Sequence, residues 1–152
     1  MDISEYHVVI ADSNAQDREI KEKYIMEAGM QVILATGDGR KALETILSEK
    51  PDVVIMDMIL PGMDGIGILE EIKRSGMDER PIFIVETALR LEHMIQQAVQ
   101  NGADYYMMKP VSGKMLVKRI CQLAEQRQFK SGKIKKLPVR RMLSGEADGR
   151  AK

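Results

Sequence analysis

Five short apolar runs, each stopping at a polar residue and each followed by a segment of helical periodicity, divide this chain into a strict alternation of strand and helix. The runs occupy residues 7–11, 31–35, 51–57, 81–85 and 105–108. Between and after them the spacing predicts helices over 15–28, about 38–49, 65–75, about 91–101 and about 112–128. The 3.6-residue period assigns core faces: Ile20, Tyr24 and Ile25 in the first helix and Ala42, Leu43, Ile46 and Leu47 in the second. Ile68, Leu69 and Ile72 do this for the third, Met94, Ile95, Ala98 and Val99 for the fourth, and Met115, Leu116, Ile120 and Leu123 for the fifth. Ser13-Asn14 offers N-cap chemistry, and Gly29, Gly76 and Gly102 stand where helices stop. Strands that alternate with crossover helices pair in parallel and are covered on both faces. Eight such units would close into a barrel. Five units make an open, doubly wound α/β domain with a five-stranded parallel sheet and five helices.

The length, 152 residues, suits one such domain (1–128) followed by a basic tail (129–152). From Phe129 onward eight Lys and Arg face two acids, leaving 15 basic and 21 acidic residues before it, so a net charge of zero joins an acidic domain to a basic tail. The tail has no aromatic after Phe129, no periodic apolar face and too few residues for a helix-turn-helix. It reads as a flexible linker in preference to a nucleic-acid contact, with residues 144–152 disordered. No apolar run approaches the roughly 20 residues needed to cross a bilayer, and residues 1–5 lack signal-peptide character, so a cytoplasmic location without membrane contact is expected. Cys121, the sole cysteine, excludes an intrachain disulfide and a cysteine zinc site, and its apolar helical setting assigns it to core packing. Most of the twelve methionines fall at core positions, where they serve as adaptable packing.

In a doubly wound sheet the carboxyl ends of the strands lie along one edge, where ligands are received. Asp12, Asp57, Thr87 and Lys109 each stand at a strand end and should converge there. Singly, each has a plain structural role: Asp12 as a helix cap, Thr87 as a turn residue, Lys109 as a solvated cation. Jointly they suit phosphoryl chemistry, in which carboxylates hold Mg²⁺, one carboxylate attacks phosphorus, and a hydroxyl and an ammonium receive the transferred oxygens.

The strings Val8-Val9-Ile10-Ala11-Asp12, Val53-Val54-Ile55-Met56-Asp57-Met58-Ile59-Leu60-Pro61-Gly62-Met63-Asp64-Gly65, Glu86-Thr87-Ala88 and Gly102-Ala103-Asp104-Tyr105-Tyr106-Met107-Met108-Lys109-Pro110 resemble the receiver domain of two-component response regulators. The resemblance covers about residues 6–128 and implies a flavodoxin-like sheet of order 2-1-3-4-5. It implies a phosphorylation-controlled switch: Asp57 accepts a phosphoryl group from a histidine kinase or phosphotransfer protein. Asp12, Asp57 and the main-chain carbonyl of Ile59 hold Mg²⁺. Lys109 pairs with Asp57 and then with the phosphoryl group, Thr87 swings toward it, and Tyr106 turns inward. The fourth helix, fifth strand and fifth helix form the readout surface for an effector domain or protein, or for a homodimer. Nucleic acid is reached through an effector domain outside this chain or, less readily, through the tail. No separate substrate is expected, so the chain is not read as an enzyme.

The family places two acids in succession after the first strand, where this chain has Asp12-Ser13. The missing acid normally touches the metal, so the resemblance implies weakened Mg²⁺ binding, with Ser13 or Asn14 supplying only neutral oxygen. A receiver-like binding module that works without phosphate is therefore the alternative function. Ile59 and Leu89 match positions beside the path of hydrolytic water. Both are apolar and cannot orient it, which implies a long-lived phosphoryl group suited to slow transcriptional responses. Ile59 also stands where an aspartyl-phosphate phosphatase carries its second Asp. Gly37-Asp38-Gly39 lacks the third glycine of a dinucleotide loop, and Ser112-Gly113-Lys114 lacks the upstream glycine of a P-loop. His7 and His93 have no partners at metal-ligand spacing.

Overall fold

The central strands are apolar on both sides because helices cover both sides of the sheet. A computed structural model describes residues 3–132, and the expected linker and disordered end from 133 onward lie outside the described residues. The order is β1 (His7–Ala11), α1 (Ala15–Glu27), β2 (Gln31–Thr36), α2 (Gly39–Glu49) and β3 (Val53–Asp57). It continues through α3 (Gly65–Ser75), β4 (Ile82–Thr87), α4 (Glu92–Gln100), β5 (Tyr105–Met108) and α5 (Gly113–Lys130). The strands are parallel in the order β2-β1-β3-β4-β5, as the flavodoxin-like topology requires. Among the described residues no helix is long and apolar enough to cross a membrane.

Successive strand residues point to opposite faces. Val8, Ile10, Val53, Ile55, Ile82 and Ile84 pack on one face with Ile25 of α1 and with Leu116 and Ile120 of α5. Val9, Val54, Met56, Phe83 and Val85 pack on the other with Leu43 of α2, Leu69 of α3 and Ala98 of α4. Each fully buried aliphatic side chain contributes roughly 1.5–3 kcal/mol relative to exposure. Four helices begin where a short polar side chain accepts an otherwise unpaired N–H: Asn14 from Asp17, Asp38 from Arg40, Asp64 from Gly67 and Ser112 from Met115. Leu91 starts α4 without a side-chain cap.

Several expectations are corrected. On α1, Ile20 and Tyr24 are 49% and 40% exposed, while Lys21 is buried beside Ile25. Helical spacing also admits a stripe through 21 and 25, and acidic partners at the sheet edge select it. Leu47 is exposed at the margin of α2, and Cys121 is half-buried instead of fully in the core. β4 runs on to Thr87 because Glu86 and Thr87 pair with Met107 and Met108, and α5 continues to Lys130, past the expected boundary at 128. The methionine reading holds for Met30, Met56, Met58 and Met107, which are buried, whereas Met26 and Met108 face outward.

Gly65 permits α3 to start directly behind Asp57. Its N–H donates to the Met58 carbonyl at 2.9 Å, and a Cβ there would meet the Asp57 carbonyl oxygen at 2.7 Å.

Candidate functional site

Strand alternation determines which polar residues meet. Asp12 lies two residues beyond Ile10, Asp57 two beyond Ile55, Glu86 two beyond Ile84 and Lys109 two beyond Met107. All four follow residues on the face that α1 and α5 cover. Asp57 and Glu86 are also direct ladder partners across β3 and β4. Asp12, Asp57 and Glu86 are buried, and one carboxylate oxygen from each lies within 4.8 Å of the others. Three converging carboxylates suit a hard divalent cation such as Mg²⁺.

Two ammonium groups already engage these acids. Lys109 Nζ lies 2.7 Å from Asp57 Oδ1 and 3.2 Å from Asp12 Oδ1, joining β1, β3 and the end of β5. Lys21 Nζ binds Asp12 Oδ2 and lies 2.5 Å from Glu86 Oε1. The second Glu86 oxygen, Oε2, is buried without a hydrogen-bond partner. Arg18 Nη1 donates to the Asp12 carbonyl at 2.7 Å, and the Asn14 N–H donates to Asp12 Oδ1 at 2.9 Å. The Asn14 side chain is spent on capping α1. Ser13 sits against Asp57, its N–H and hydroxyl donating to Asp57 Oδ2 at 3.2 and 3.4 Å. A carboxylate at that position would repel Asp57, whereas serine hydrogen-bonds to it.

The electrostatics follow from burial and these pairings. Burial raises the Asp57 pKa; the Lys109 hydrogen bond opposes this and the Asp12 charge adds to it, leaving the carboxyl above its ordinary value. For Asp12 burial is likewise the largest single influence, but Lys21, the Asn14 N–H and Lys109 together outweigh it and lower the pKa. Burial pushes Glu86 up to about 7 despite Lys21. Both lysines would be lowered by burial, yet their acid partners raise them: chiefly Glu86 and Asp12 for Lys21, and Asp57 and Asp12 for Lys109. The two ammoniums are therefore firmly charged.

Thr87 is buried at the end of β4, and its hydroxyl is committed to its own loop. It donates to the Leu89 carbonyl at 2.6 Å and accepts from the Leu89 N–H at 3.1 Å. Thr87 and Tyr106 follow Val85 in strand alternation and register, so they lie on the face opposite Asp57, with Tyr106 half-buried against the core of that side. Ile59 and Leu89 are 63% and 55% exposed in the loops after β3 and β4. The structure thus brings together Asp12, Ser13, Asp57 and Lys109, and it leaves Thr87 and Tyr106 on the other side of the sheet edge. It adds two residues that the motif reading passed over, Lys21 and Glu86. Strand alternation marks Glu86 two residues beyond Ile84, and helical spacing marks Lys21 four before Ile25.

Comparison with known proteins places these observations in a family context. Residues 8–121 match the family described as response regulator receiver domain. The chain is similar to a DNA-binding response regulator of the LuxR family from Staphylococcus aureus, at 28% identity and a TM-score of 0.71, covering 77% of this chain and 97% of that one. It is similar to the receiver domain of Francisella response regulator 1452, at 25% identity and a TM-score of 0.71, covering 80% and 98%. A CheY-like receiver domain protein from Methanospirillum hungatei shares the fold at 21% identity and a TM-score of 0.76, covering 83% and 98%.

Proposed function

Because the chain belongs to the response regulator receiver domain family, a switch module of two-component signalling, we propose that Asp57 is the phosphoryl acceptor of that switch. The observation that carries this reading is the carboxylate itself: Asp57 is buried at a strand end, bound by Lys109 at 2.7 Å and by the Ser13 N–H, with a second carboxylate beside it. In the transfer, an Asp57 carboxylate oxygen attacks phosphorus, and the bond from phosphorus to the donor's imidazole nitrogen breaks with its electron pair leaving on nitrogen. Lys109 is close enough to neutralise oxygens on the incoming group without a large movement. Asp12, Asp57 and the Ile59 main-chain carbonyl would hold Mg²⁺, with Glu86 as a further carboxylate within reach, and the ion supplies positive charge to the phosphoryl oxygens.

Phosphorylation adds about −1.5 to −2 charge and three strong acceptors. Thr87 would exchange its two bonds with Leu89 for one to the phosphoryl group, moving the loop between β4 and α4 and giving Tyr106 room to turn inward. Converting a 1:99 equilibrium to 99:1 takes roughly 5.5 kcal/mol, within the scale of a few charge-assisted bonds. The readout is assigned to α4, β5 and α5, whose partner is an effector domain, an effector protein or a second copy. The basic tail that follows α5 would serve as a linker to such a partner. Phosphotransfer from a histidine kinase or phosphotransfer protein calls for a cytoplasmic setting.

Incubation with acetyl phosphate and Mg²⁺, read by intact mass, tests this reading. One added phosphate in the wild type and none in Asp57→Asn supports it; no addition at saturating donor refutes it. That second outcome favours a phosphate-independent binding module, a reading supported by the Lys21 ammonium already seated between Asp12 and Glu86.

A further inference from the structure

We propose that Lys21 is a resident counter-ion of the acidic pocket and competes with a divalent cation for Asp12 and Glu86; this rests on reading the pocket as the receiver's metal site. Lys21 is a positioning residue in this role, since it acts through the acids it holds.

The geometry is specific. Lys21 Nζ bridges Asp12 Oδ2 and Glu86 Oε1, two of the three carboxylates that converge within 4.8 Å. An ion bridging those carboxylates needs the space that this nitrogen fills. Lys21 is only 4% exposed, and Ile25, one turn further along α1, is fully buried against the sheet, so the ammonium is held in place by the packing of its helix. Water cannot readily take over the ammonium's solvation when a metal arrives, so the two cations are set in direct opposition.

Charge points the same way. With its acids ionised, the pocket holds Asp12, Asp57 and Glu86 against Lys21 and Lys109, a net charge of one negative; without Lys21 the net charge doubles. Divalent-cation affinity rises with the number of uncompensated carboxylates around the site. Stability is weak grounds for the arrangement, because replacing a buried ion pair with apolar residues of similar volume is often neutral or stabilising. Glu86 Oε2, buried and without a hydrogen-bond partner, is an acceptor that Lys21 leaves unsatisfied and that an entering cation would meet. The pocket is thus tuned by two features: Ser13 where a further acid would strengthen it, and Lys21 already occupying part of it.

The experiment measures Mn²⁺ binding by electron paramagnetic resonance, and Mg²⁺ by competition, without any phosphodonor. It compares the wild type, Lys21→Met, Lys21→Gln and Lys21→Arg. Removing the ammonium should tighten binding at least about tenfold, whereas Lys21→Arg should stay near the wild type. Lys21→Gln removes the charge but keeps an amide that can still donate to Asp12 or Glu86, and it should also bind more tightly than the wild type, which keeps the test decisive if Lys21→Met fails to fold. Unchanged or weaker affinity in a Lys21→Met or Lys21→Gln protein with native circular dichroism overturns the proposal. Phosphoryl labelling of the wild type is scored separately: labelling with equal metal affinities sinks only the competition, and tightened affinity without labelling sinks only the acceptor role.

Discussion

Replacing Glu86 with glutamine removes a charge while keeping the shape of the side chain and an oxygen that can still accept from Lys21. Burial raises the Glu86 carboxyl from 4.5 to about 7, even with Lys21 Nζ 2.5 Å away. Below pH 4.5 the residue is protonated both folded and unfolded, and its ionisation contributes nothing. As pH rises, the unfolded chain ionises freely while the folded protein keeps its proton, so stability falls until the folded group also ionises near pH 7. Each pKa unit corresponds to about 1.4 kcal/mol, which makes the total loss about 3 kcal/mol. Glu86→Gln imitates the protonated state and escapes that loss. Its stability, measured by urea unfolding with EDTA present and followed by circular dichroism, should match the wild type near pH 4 and exceed it by about 3 kcal/mol at pH 7.5. Asp104, also raised, titrates alike in both proteins and cancels, whereas Asp57 and Asp12 feel the Glu86 charge, so the difference curve reports Glu86 together with its coupling to those two acids. A flat difference between pH 4 and 8 would refute the burial argument. A variant less stable at pH 7.5 would show that the ionised pair with Lys21 is net favourable.

Ser13→Asp should tighten Mg²⁺ binding by adding a carboxylate where a serine now donates to Asp57, and equal affinities in a direct titration would count against the role given to Ser13. Ile59→Asn should shorten the life of the acetyl-phosphate-derived label, because an amide can orient water where an exposed isoleucine cannot; loss within seconds in both proteins would contradict the slow-release reading. Gly65→Ala should cost about 1–3 kcal/mol in urea unfolding, since its Cβ would stand 2.7 Å from the backbone oxygen of Asp57, and a loss below about 0.5 kcal/mol would show that the β3–α3 turn yields easily.

The sheet was legible because its signal is redundant: every strand is a dense apolar run, and every helix but one starts at a side chain that caps it. Asp57 and Lys109 were legible for the related reason that they end such runs. Lys21 was not, because helical spacing on α1 supports two stripes, and the more hydrophobic one, through Ile20 and Tyr24, is the one left exposed. What decided between them is tertiary: Asp12 and Glu86 reach that face from strands far away in sequence. Glu86 was hidden because it shares a short polar segment with Thr87, and its placement beside Asp57 follows only from the pairing of β3 with β4. A short polar segment closing a strand reads as a turn until its ladder partners are known.

Lys109 reaches back to Asp12 across 97 residues of chain, from the edge strand to a strand near the middle of the sheet. Contacts of such separation are costly in loop entropy, and this one requires β5 to be docked. A chain in which β1 and β3 had paired but β5 had not docked would carry its acids without the ammonium that joins them. The charge balance of this site is therefore a readout of finished folding, and a newly made molecule acquires it only when its last strand is in place.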